Sequence, residues 1–506
     1  MSTANLQHLL AMCLYMAAVI GIGLYFARRA NRDAEAFFLG GRSLGPWVTA
    51  FSAEASDMSG YLLMGLPGLA YWTGLADAGW TCIGLALGTY LNFLFVSRRL
   101  RRFSVKLDAF TLPDFFSRRF GEKKPLLLVI ASLTILIFFS VYAAQCLSAC
   151  GKLFARLFGL PYESMMIVAA LFVLVYTFLG GFLAESASDF MQALVMITVL
   201  VLILAMGVGA AGGMGQVIAN AKGYPGFFSL VQTSTPSDSV VNGFGAAQKY
   251  GFLSVLSCLS WGLGYFGMPQ VLLRFMGIRS EDELGRGRRV AIVWVCISMA
   301  AAVFIGVVGR SVPGLDYLSN AAAENVFIDA ATAFLPPILA GFACAGVLAA
   351  SISSSDSYLL IAASAVSQNL YRGVMKKNAT EKEVLWVSRM TLLAITLIAM
   401  FIAWNSDSTI FGITSFAWAG FGAAFGPLML FSLFWKRTTY AAAVAGMVSG
   451  AAMVFFWKLC VNPLGGVWGV YCLLPAFVFS AVVIVAVSLC GKRDAAQEKR
   501  FEAMVI

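Results

Sequence analysis

The sequence predicts an all-α polytopic membrane protein of about thirteen transmembrane helices. The composition is 60% hydrophobic and 12% charged, and the apolar residues come in repeated blocks of about twenty, the length a helix needs to cross the hydrocarbon core. Two of those blocks are interrupted at matching places, at 55–60 and 262–269. Such paired breaks point to a 5+5 inverted repeat, in which discontinuous helices build a binding site near the bilayer midplane.

A net charge of +10 would suggest nucleic acid in a soluble protein, but here Lys and Arg cluster in short loops between apolar blocks. The positive-inside bias accounts for them, so no nucleic-acid partner is expected, only the bilayer. The ten cysteines, among them Cys13, Cys146, Cys258 and Cys344, lie mostly inside apolar blocks without paired spacing. They read as small core residues, neither disulfides nor zinc ligands. One histidine, His8, precludes a histidine cluster. The first apolar block is followed by Arg28, Arg29 and Arg32 without a convincing cleavage site, so it is expected to be a membrane helix and not a signal peptide.

In order, the expected spans are 6–27, 44–73, 77–97, 125–158, 163–181, 188–212, 249–276, 288–311, 326–370, 385–404, 408–435, 438–460 and 466–490. Several exceed a straight crossing, which implies tilt or projection beyond the membrane. The basic loops at Arg28–Arg42, Arg98–Lys106, Arg279–Arg289, Lys376–Lys382, Lys436–Arg437 and Lys492–Arg493 all fall on one side if the amino terminus is outside. That side is the cytoplasm. The carboxyl terminus is then cytoplasmic and the weakly charged 213–248 loop external. The organisation is a first helix and loop (1–43), two five-helix repeats (44–212 and 249–437), two peripheral helices (438–491) and a tail (492–506).

The second span carries Ser52-Ala53-Glu54-Ala55-Ser56-Asp57-Met58-Ser59-Gly60 at its centre. A carboxylate near the midplane costs roughly 2.5–3.5 kcal/mol even on lenient scales, so it normally faces protein, water or an ion. Small polar residues there suggest a broken helix, its free carbonyls suited to a cation and its free amides to an anion. The seventh span breaks at Gly262-Leu263-Gly264-Tyr265-Phe266-Gly267-Met268-Pro269, where three glycines and a proline cannot sustain a regular helix. Ordinary proline kinks are the bland alternative for either break alone. Matched spacing favours the site.

Several motifs carry a resemblance: Gly40-Gly41-Arg42-Ser43-Leu44-Gly45-Pro46; the run ending at Gly60 with Leu62-Leu63-Met64-Gly65-Leu66-Pro67-Gly68; Thr111-Leu112-Pro113-Asp114-Phe115-Phe116; Tyr176-Thr177-Phe178-Leu179-Gly180-Gly181-Phe182; and Trp261-Gly262-Leu263-Gly264-Tyr265-Phe266-Gly267. In this order, within about Gly40 to Gly491, they resemble the sodium:solute symporter family, and within it the sodium/proline symporters. The resemblance implies a leucine-transporter-type core, Na+ as coupling ion and inward transport of a small amino acid, L-proline first, by alternating access across a bacterial-type cytoplasmic membrane. Another small zwitterion or a carboxylate is the alternative solute.

By the same resemblance, the main sodium site takes backbone carbonyls of Ala55, Met58 and Ala350 and hydroxyls of Ser353 and Ser354. Serines in membrane helices also commonly bond back to their own helix. Asp57 is expected to attract sodium or cap the second half-helix through the amides of Ser59 and Gly60, with direct ligation a third role. Some relatives place a second cation near the equivalents of Asp189, Ser353, Asp356 and Ser357. Asp356 departs from their hydroxyl and is read as strengthening that site, as a proton carrier, or as paired with a buried hydroxyl. Glu54 departs from the small residue expected, and no partner for it can be named.

For the solute, the resemblance implies Tyr142, Trp261, Tyr265 and Pro269 as walls of the pocket. An aromatic face suits a pyrrolidine ring and its ammonium, and the carboxylate would meet the Ser59 and Gly60 amides. On spacing alone these aromatics read as packing or interfacial residues. Met268 stands where a glutamine is expected. Arg42, at the cytoplasmic mouth, is a topology anchor or a gate. A sensor, a membrane-embedded enzyme and a channel are the competing readings. The short tail argues against an attached signalling domain, and no metal cluster, nucleophile motif or phosphate loop supports an enzyme.

Overall fold

The computed structural model describes residues 3–30, 39–179, 182–234, 245–312, 315–317 and 319–505. It is helical almost throughout. Among the described residues ten helices are long and apolar enough to cross a bilayer, and eleven when the bent pair Phe252–Phe266 and Pro269–Gly277 counts as one span. The expected thirteen is not reached by length and apolarity. Helices do occupy the two remaining positions, but the Pro46–Thr73 segment carries its polar centre and the apolar part of the fifth span, Tyr162–Val175, is short.

Three expected boundaries move. The 326–370 span divides, because Leu335 and Pro336 separate a short helix, Val326–Phe334, from the long one that begins at Pro337. Proline has no amide to continue the first helix but starts the second well. The third span continues past Val96 through a widened turn at Asn92–Val96 into the basic helix Ser97–Lys106. The external loop holds a helix, Met214–Lys222, and a two-residue antiparallel ribbon pairing Gln232–Thr233 with Gln248–Lys249, the small exception to an all-α chain.

Helix Pro337–Ser364 is the axis of the molecule, with nearly every residue buried from Ala340 onward. It packs against Pro46–Gly60, Leu126–Phe158, Phe182–Ala210 and Thr3–Ala30. A fully covered helix can hold serines and an aspartate where water does not reach them, which is the setting a desolvated ion site needs.

The two breaks lie where the sequence indicates. Within Pro46–Gly60, Ser59 has φ 50° and ψ −165°, a left-handed conformation that a residue with a Cβ rarely adopts. A widened turn, Tyr61–Gly65, follows before the helix resumes over Leu66–Thr73. In the second break a 3-10 stretch, Ser260–Phe266, gives way to helix Pro269–Gly277 with a bend of 42°. Glycines set its packing: a Cβ on Gly88 would stand 2.3 Å from the Gly262 carbonyl oxygen, and one on Gly262 would stand 2.2 Å from that of Gly84. The third-span helix therefore lies directly on the unwound backbone.

At the basic end, Ser97–Lys106 collects the loops. Arg42 donates to the carbonyls of Ala109 (2.8 Å), Met276 (3.0 Å) and Ser104 (3.3 Å). Arg101 donates to Ile278 O (2.6 Å), Arg102 pairs with Glu281 (3.0 Å), and Lys106 reaches the carbonyl of Ala503 (3.0 Å) in the tail helix Ala495–Val505.

Candidate functional site

Around the first break the structure brings together Ala55, Ala350, Ser353 and Ser354. Ser353 Oγ donates to Ala55 O (3.0 Å) and lies 3.1 Å from Ala350 O, and Ser354 Oγ lies 3.3 Å from Ala55 O. Two carbonyls and two hydroxyls, all buried and none ionised, form a set of hard neutral oxygens suited to an alkali cation. The Met58 carbonyl accepts the Tyr61 amide, so its place in the set requires that bond to yield.

Asp57 does not cap the half-helix. The Tyr61 amide, which also meets Ser59 Oγ at 3.3 Å, shows the cap to be local to Ser59. Instead Asp57 Oδ1 accepts from Gln270 Nε2 at 3.2 Å. Gln270 sits immediately after Pro269, at the start of the helix that leaves the second break. One hydrogen bond thus ties the two discontinuities together.

The residues expected at a second cation site surround a cation that the chain supplies itself. The fully buried Arg274 guanidinium donates to Asp189 Oδ2 (3.1 Å), Ser357 Oγ (2.9 Å), Ser52 Oγ (3.0 Å) and Glu185 Oε1. Ser52 Oγ also donates to Asp189 Oδ2 at 2.7 Å, and Ser357 Oγ meets Glu185 Oε1 and Ser353 O. Asp189 and Ser357 are therefore held by arginine, while Asp356 is buried beside them without joining the ion pair. A buried guanidinium needs its partners within bonding reach, and that requirement draws the two carboxylates inward.

The expected solute residues fall into two aromatic groups. Trp261 stacks on Tyr61 (centroids 5.8 Å) and Tyr471 (4.8 Å) and leans on Phe411 (5.1 Å). Tyr265 meets Trp418 edge-on (5.0 Å), and Trp418 Nε1 donates to the Trp261 carbonyl (2.8 Å). Tyr142 packs against Tyr358 (4.6 Å), not against Trp261. Gly60 lies at the helix Leu126–Phe158: a Cβ there would stand 2.7 Å from Ala149 Cβ and 3.7 Å from Gln145 Oε1. Among the described residues the hydroxyls of Tyr61 and Tyr142 and Gln145 Oε1 are buried without hydrogen-bond partners, while the Tyr265 hydroxyl lies beside Asp57 and Thr89 and that of Tyr358 beside Ser354 and Ser59. Buried polar atoms are normally satisfied, so oxygens of this kind beside the break are able to receive a polar guest. Pro269 opens its half-helix and contributes the bend.

Sequence reasoning missed Arg274, Glu185, Gln270, Gln145, Tyr61, Phe411, Trp418 and Tyr471. Arg274, Gln270 and Gln145 carried a usable signal, being polar side chains inside expected spans. The aromatics carried none, since nothing in an apolar block tells a pocket wall from packing.

The profile of the sodium:solute symporter family matches residues 37–450. The chain belongs to this family. Among the family's curated members it is 40% identical to a sodium/proline symporter of Escherichia coli (strain K12) over 97% of this chain and 95% of that one. It is 37% identical to a sodium/proline symporter of Staphylococcus aureus (strain USA300 / TCH1516) over 97% of this chain and 94% of that one. In fold this sodium:solute symporter is similar to a Na+-coupled sialic acid symporter solved in a substrate-bound outward-open state, with TM-score 0.78, 18% identity and coverage of 96% and 98%. It is also similar to Mhp1, a nucleobase-cation-symport-1 family transporter, with TM-score 0.55, 12% identity and coverage of 93% and 99%.

Proposed function

We propose that this chain carries L-proline into the cell together with sodium, by alternating access across a bacterial cytoplasmic membrane, with its amino terminus outside and its carboxyl terminus inside. The convergence of Ser353 and Ser354 on the Ala55 carbonyl carries the reading. In it, sodium sits between Ala55, Ala350, Ser353 and Ser354, with Met58 joining as its carbonyl turns from Tyr61. The ion steadies the unwound segment, and the aromatic walls at Tyr142, Trp261 and Tyr265 close on the solute, whose carboxylate meets the Ser59 and Gly60 amides. Asp57 attracts the cation and, through Gln270, passes the state of one break to the other. Coupling follows because each ligand binds better when the other holds this geometry.

At the basic end, Arg42 clamps the loop before the first broken helix to Met276 at the foot of the second. Rocking of the bundle toward the cytoplasm releases that clamp, which gives Arg42 a gating role. The gradients suffice: a potential of about 100 mV contributes roughly 2.3 kcal/mol per charge, and a tenfold sodium gradient about 1.4 kcal/mol.

Labelled proline uptake into proteoliposomes, with and without an inward sodium gradient and with other amino acids and carboxylates as competitors, tests the assignment. Saturable uptake that requires sodium and yields only to proline is the expected result. Preferential inhibition by another zwitterion or carboxylate reassigns the solute, and uptake indifferent to sodium overturns the reading.

A further inference from the structure

In the tail helix Ala495–Val505 the buried residues are Gln497, Phe501 and Met504. Spaced by four and by three, they share one face, so the helix is amphipathic and needs a partner surface. That surface is the basic end of the molecule, which the reading above places in the cytoplasm. On one side the tail meets the third-span extension Ser97–Lys106. There Phe501 packs edge-on against Phe103 (centroids 5.8 Å), Lys106 Nζ donates to Ala503 O (3.0 Å) and Arg102 Nη1 donates to Val505 O (3.1 Å). On the other side Gln497 Nε2 donates to the Thr438 carbonyl, Glu502 pairs with Lys436 (2.9 Å), and the Phe501 ring lies 5.0 Å from the Arg119 guanidinium.

The two sides belong to different parts of the bundle. Ser97–Lys106 is fastened to the feet of the broken helices, because Arg42 joins Ser104 to the Met276 carbonyl and Arg101 holds the Ile278 carbonyl. Arg119 ends the short helix Leu112–Arg119, and its Nε donates to Ser432 O (2.9 Å) at the end of helix Ile410–Phe434. Lys436 and Thr438 lie in the turn that follows that helix. Arg99 crosses the same line with a bond to Leu433 O (2.9 Å). A movement that draws the broken helices away from Ile410–Phe434 therefore pulls the tail off one side or the other.

The docking is opposed from within. Arg119 is 0% exposed, yet its Nη1 and Nη2 have no hydrogen-bond partner among the described residues. The rings of Phe120 and Phe501, each 5.0 Å from the guanidinium, offset part of that loss. The rest is hydration that Arg119 recovers once Phe501 withdraws. Burial of Phe501 and Met504 favours docking, and the stranded cation disfavours it. A helix held by opposed terms can leave and return within a transport cycle.

We propose that the tail helix is a latch on the cytoplasmic exit. Docked, it holds the broken-helix side against Ile410–Phe434 and keeps the exit closed. Its release, with Phe501 leaving Arg119 to water, permits inward opening and sets the rate of that step. The proposal rests on alternating access with the basic end inside and adds a regulatory element to it.

The test compares wild type, Phe501→Ala and a chain ended after Gly491 in proteoliposomes. Both altered forms are expected to raise the maximal rate of sodium-driven proline uptake by roughly two- to tenfold, the range that loss of one ring–cation contact gives. Half-saturating sodium and solute should not change. Hydrogen–deuterium exchange on the same preparations is expected to rise across 97–119. A tail that only supported the fold would lower uptake when altered and could not raise the maximal rate. In the opposite direction, Lys436→Cys with Glu502→Cys, joined by a reversible bifunctional thiol reagent, is expected to lose uptake and to regain it with reductant. Wild type treated alike controls for the native cysteines. Where Phe501→Ala or the shortened chain fails to insert, the bridged pair decides. Unchanged or lowered maximal uptake in inserted Phe501→Ala overturns the latch, as does undiminished uptake by protein shown by mass to be bridged. If wild type takes up no proline, the symport reading fails and exchange decides the latch by itself: a rise across 97–119 in Phe501→Ala supports it, and no rise overturns it.

Discussion

Gln270 Nε2 donates to Asp57 Oδ1 at 3.2 Å, a hydrogen bond between residues 213 positions apart that joins the two broken helices at their discontinuities. Hydrogen bonds to a charged group contribute about 1.5–3 kcal/mol, enough to shift which arrangement of the breaks is populated. Gln270→Ala is therefore expected to raise the half-saturating concentrations of sodium and solute together, by roughly ten- to hundredfold. Uptake kinetics measured at varied sodium and varied solute check this. A rise in only one of the two would show that Gln270 serves one site and does not link them.

Ser353 and Ser354 offer their hydroxyls to the same carbonyl, that of Ala55. Removing one oxygen from a neutral alkali site should weaken sodium by about tenfold, near 1.4 kcal/mol, with little change in maximal uptake once sodium is saturating. Ser353→Ala and Ser354→Ala are each expected to behave so, and the double variant to require sodium beyond practical concentrations. Sodium titration of uptake, with membrane insertion confirmed by quantitative blotting, provides the check. Unchanged sodium dependence in both single variants would place the ion elsewhere.

Arg274 binds two carboxylates in a site closed to water. Losing one partner of a buried pair leaves an uncompensated charge at a cost of about 3–5 kcal/mol. Arg274→Met is accordingly expected to lower the thermal midpoint of the purified protein sharply, and Arg274→Met combined with Glu185→Gln to recover part of that loss. Fluorescence-detected size-exclusion chromatography after graded heating reads both. If the double variant is no more stable than the single one, the guanidinium's main support comes from Ser52 and Ser357 and not from charge.

The sequence made legible whatever depends on backbone chemistry and on hydrophobic length. Glycines and a proline at 262–269 announced the second break, and small polar residues at 52–60 the first, although the residue that turns, Ser59, has a Cβ and no local rule singles it out. The serines of the ninth span could be placed beside the first break only through the family resemblance, because the contact spans 298 residues. Asp189 and Ser357 were legible as buried polar groups, but which cation they hold depends on Arg274, a residue from another helix that periodicity cannot orient. The division at Pro336 was hidden by the apolar residues on either side of it, which let one hydrophobic run pass for one helix.

Glycine packing gives a final prediction, independent of any ligand. The third-span helix and the second break meet backbone to backbone, with a Cβ on Gly262 falling 2.2 Å from the Gly84 carbonyl oxygen and 3.2 Å from the Gly88 Cα. Neither neighbour is the end of a flexible side chain, so the helices themselves must separate. Overpacking of this kind costs about 1–3 kcal/mol or more, and the displacement falls on the stretch that carries Trp261 and Tyr265. Gly262→Ala is expected to insert into the membrane yet lose most uptake, with solute affinity reduced more than sodium affinity, because the Ala55 and Ser353 contact lies on a different pair of helices. Equilibrium binding of labelled solute and of sodium to the purified variant measures the two separately. Equal losses would mean that the strain spreads through the Asp57 and Gln270 bond to the first break, and unaltered binding of both would show that the close approach of the two backbones has no part in shaping the pocket.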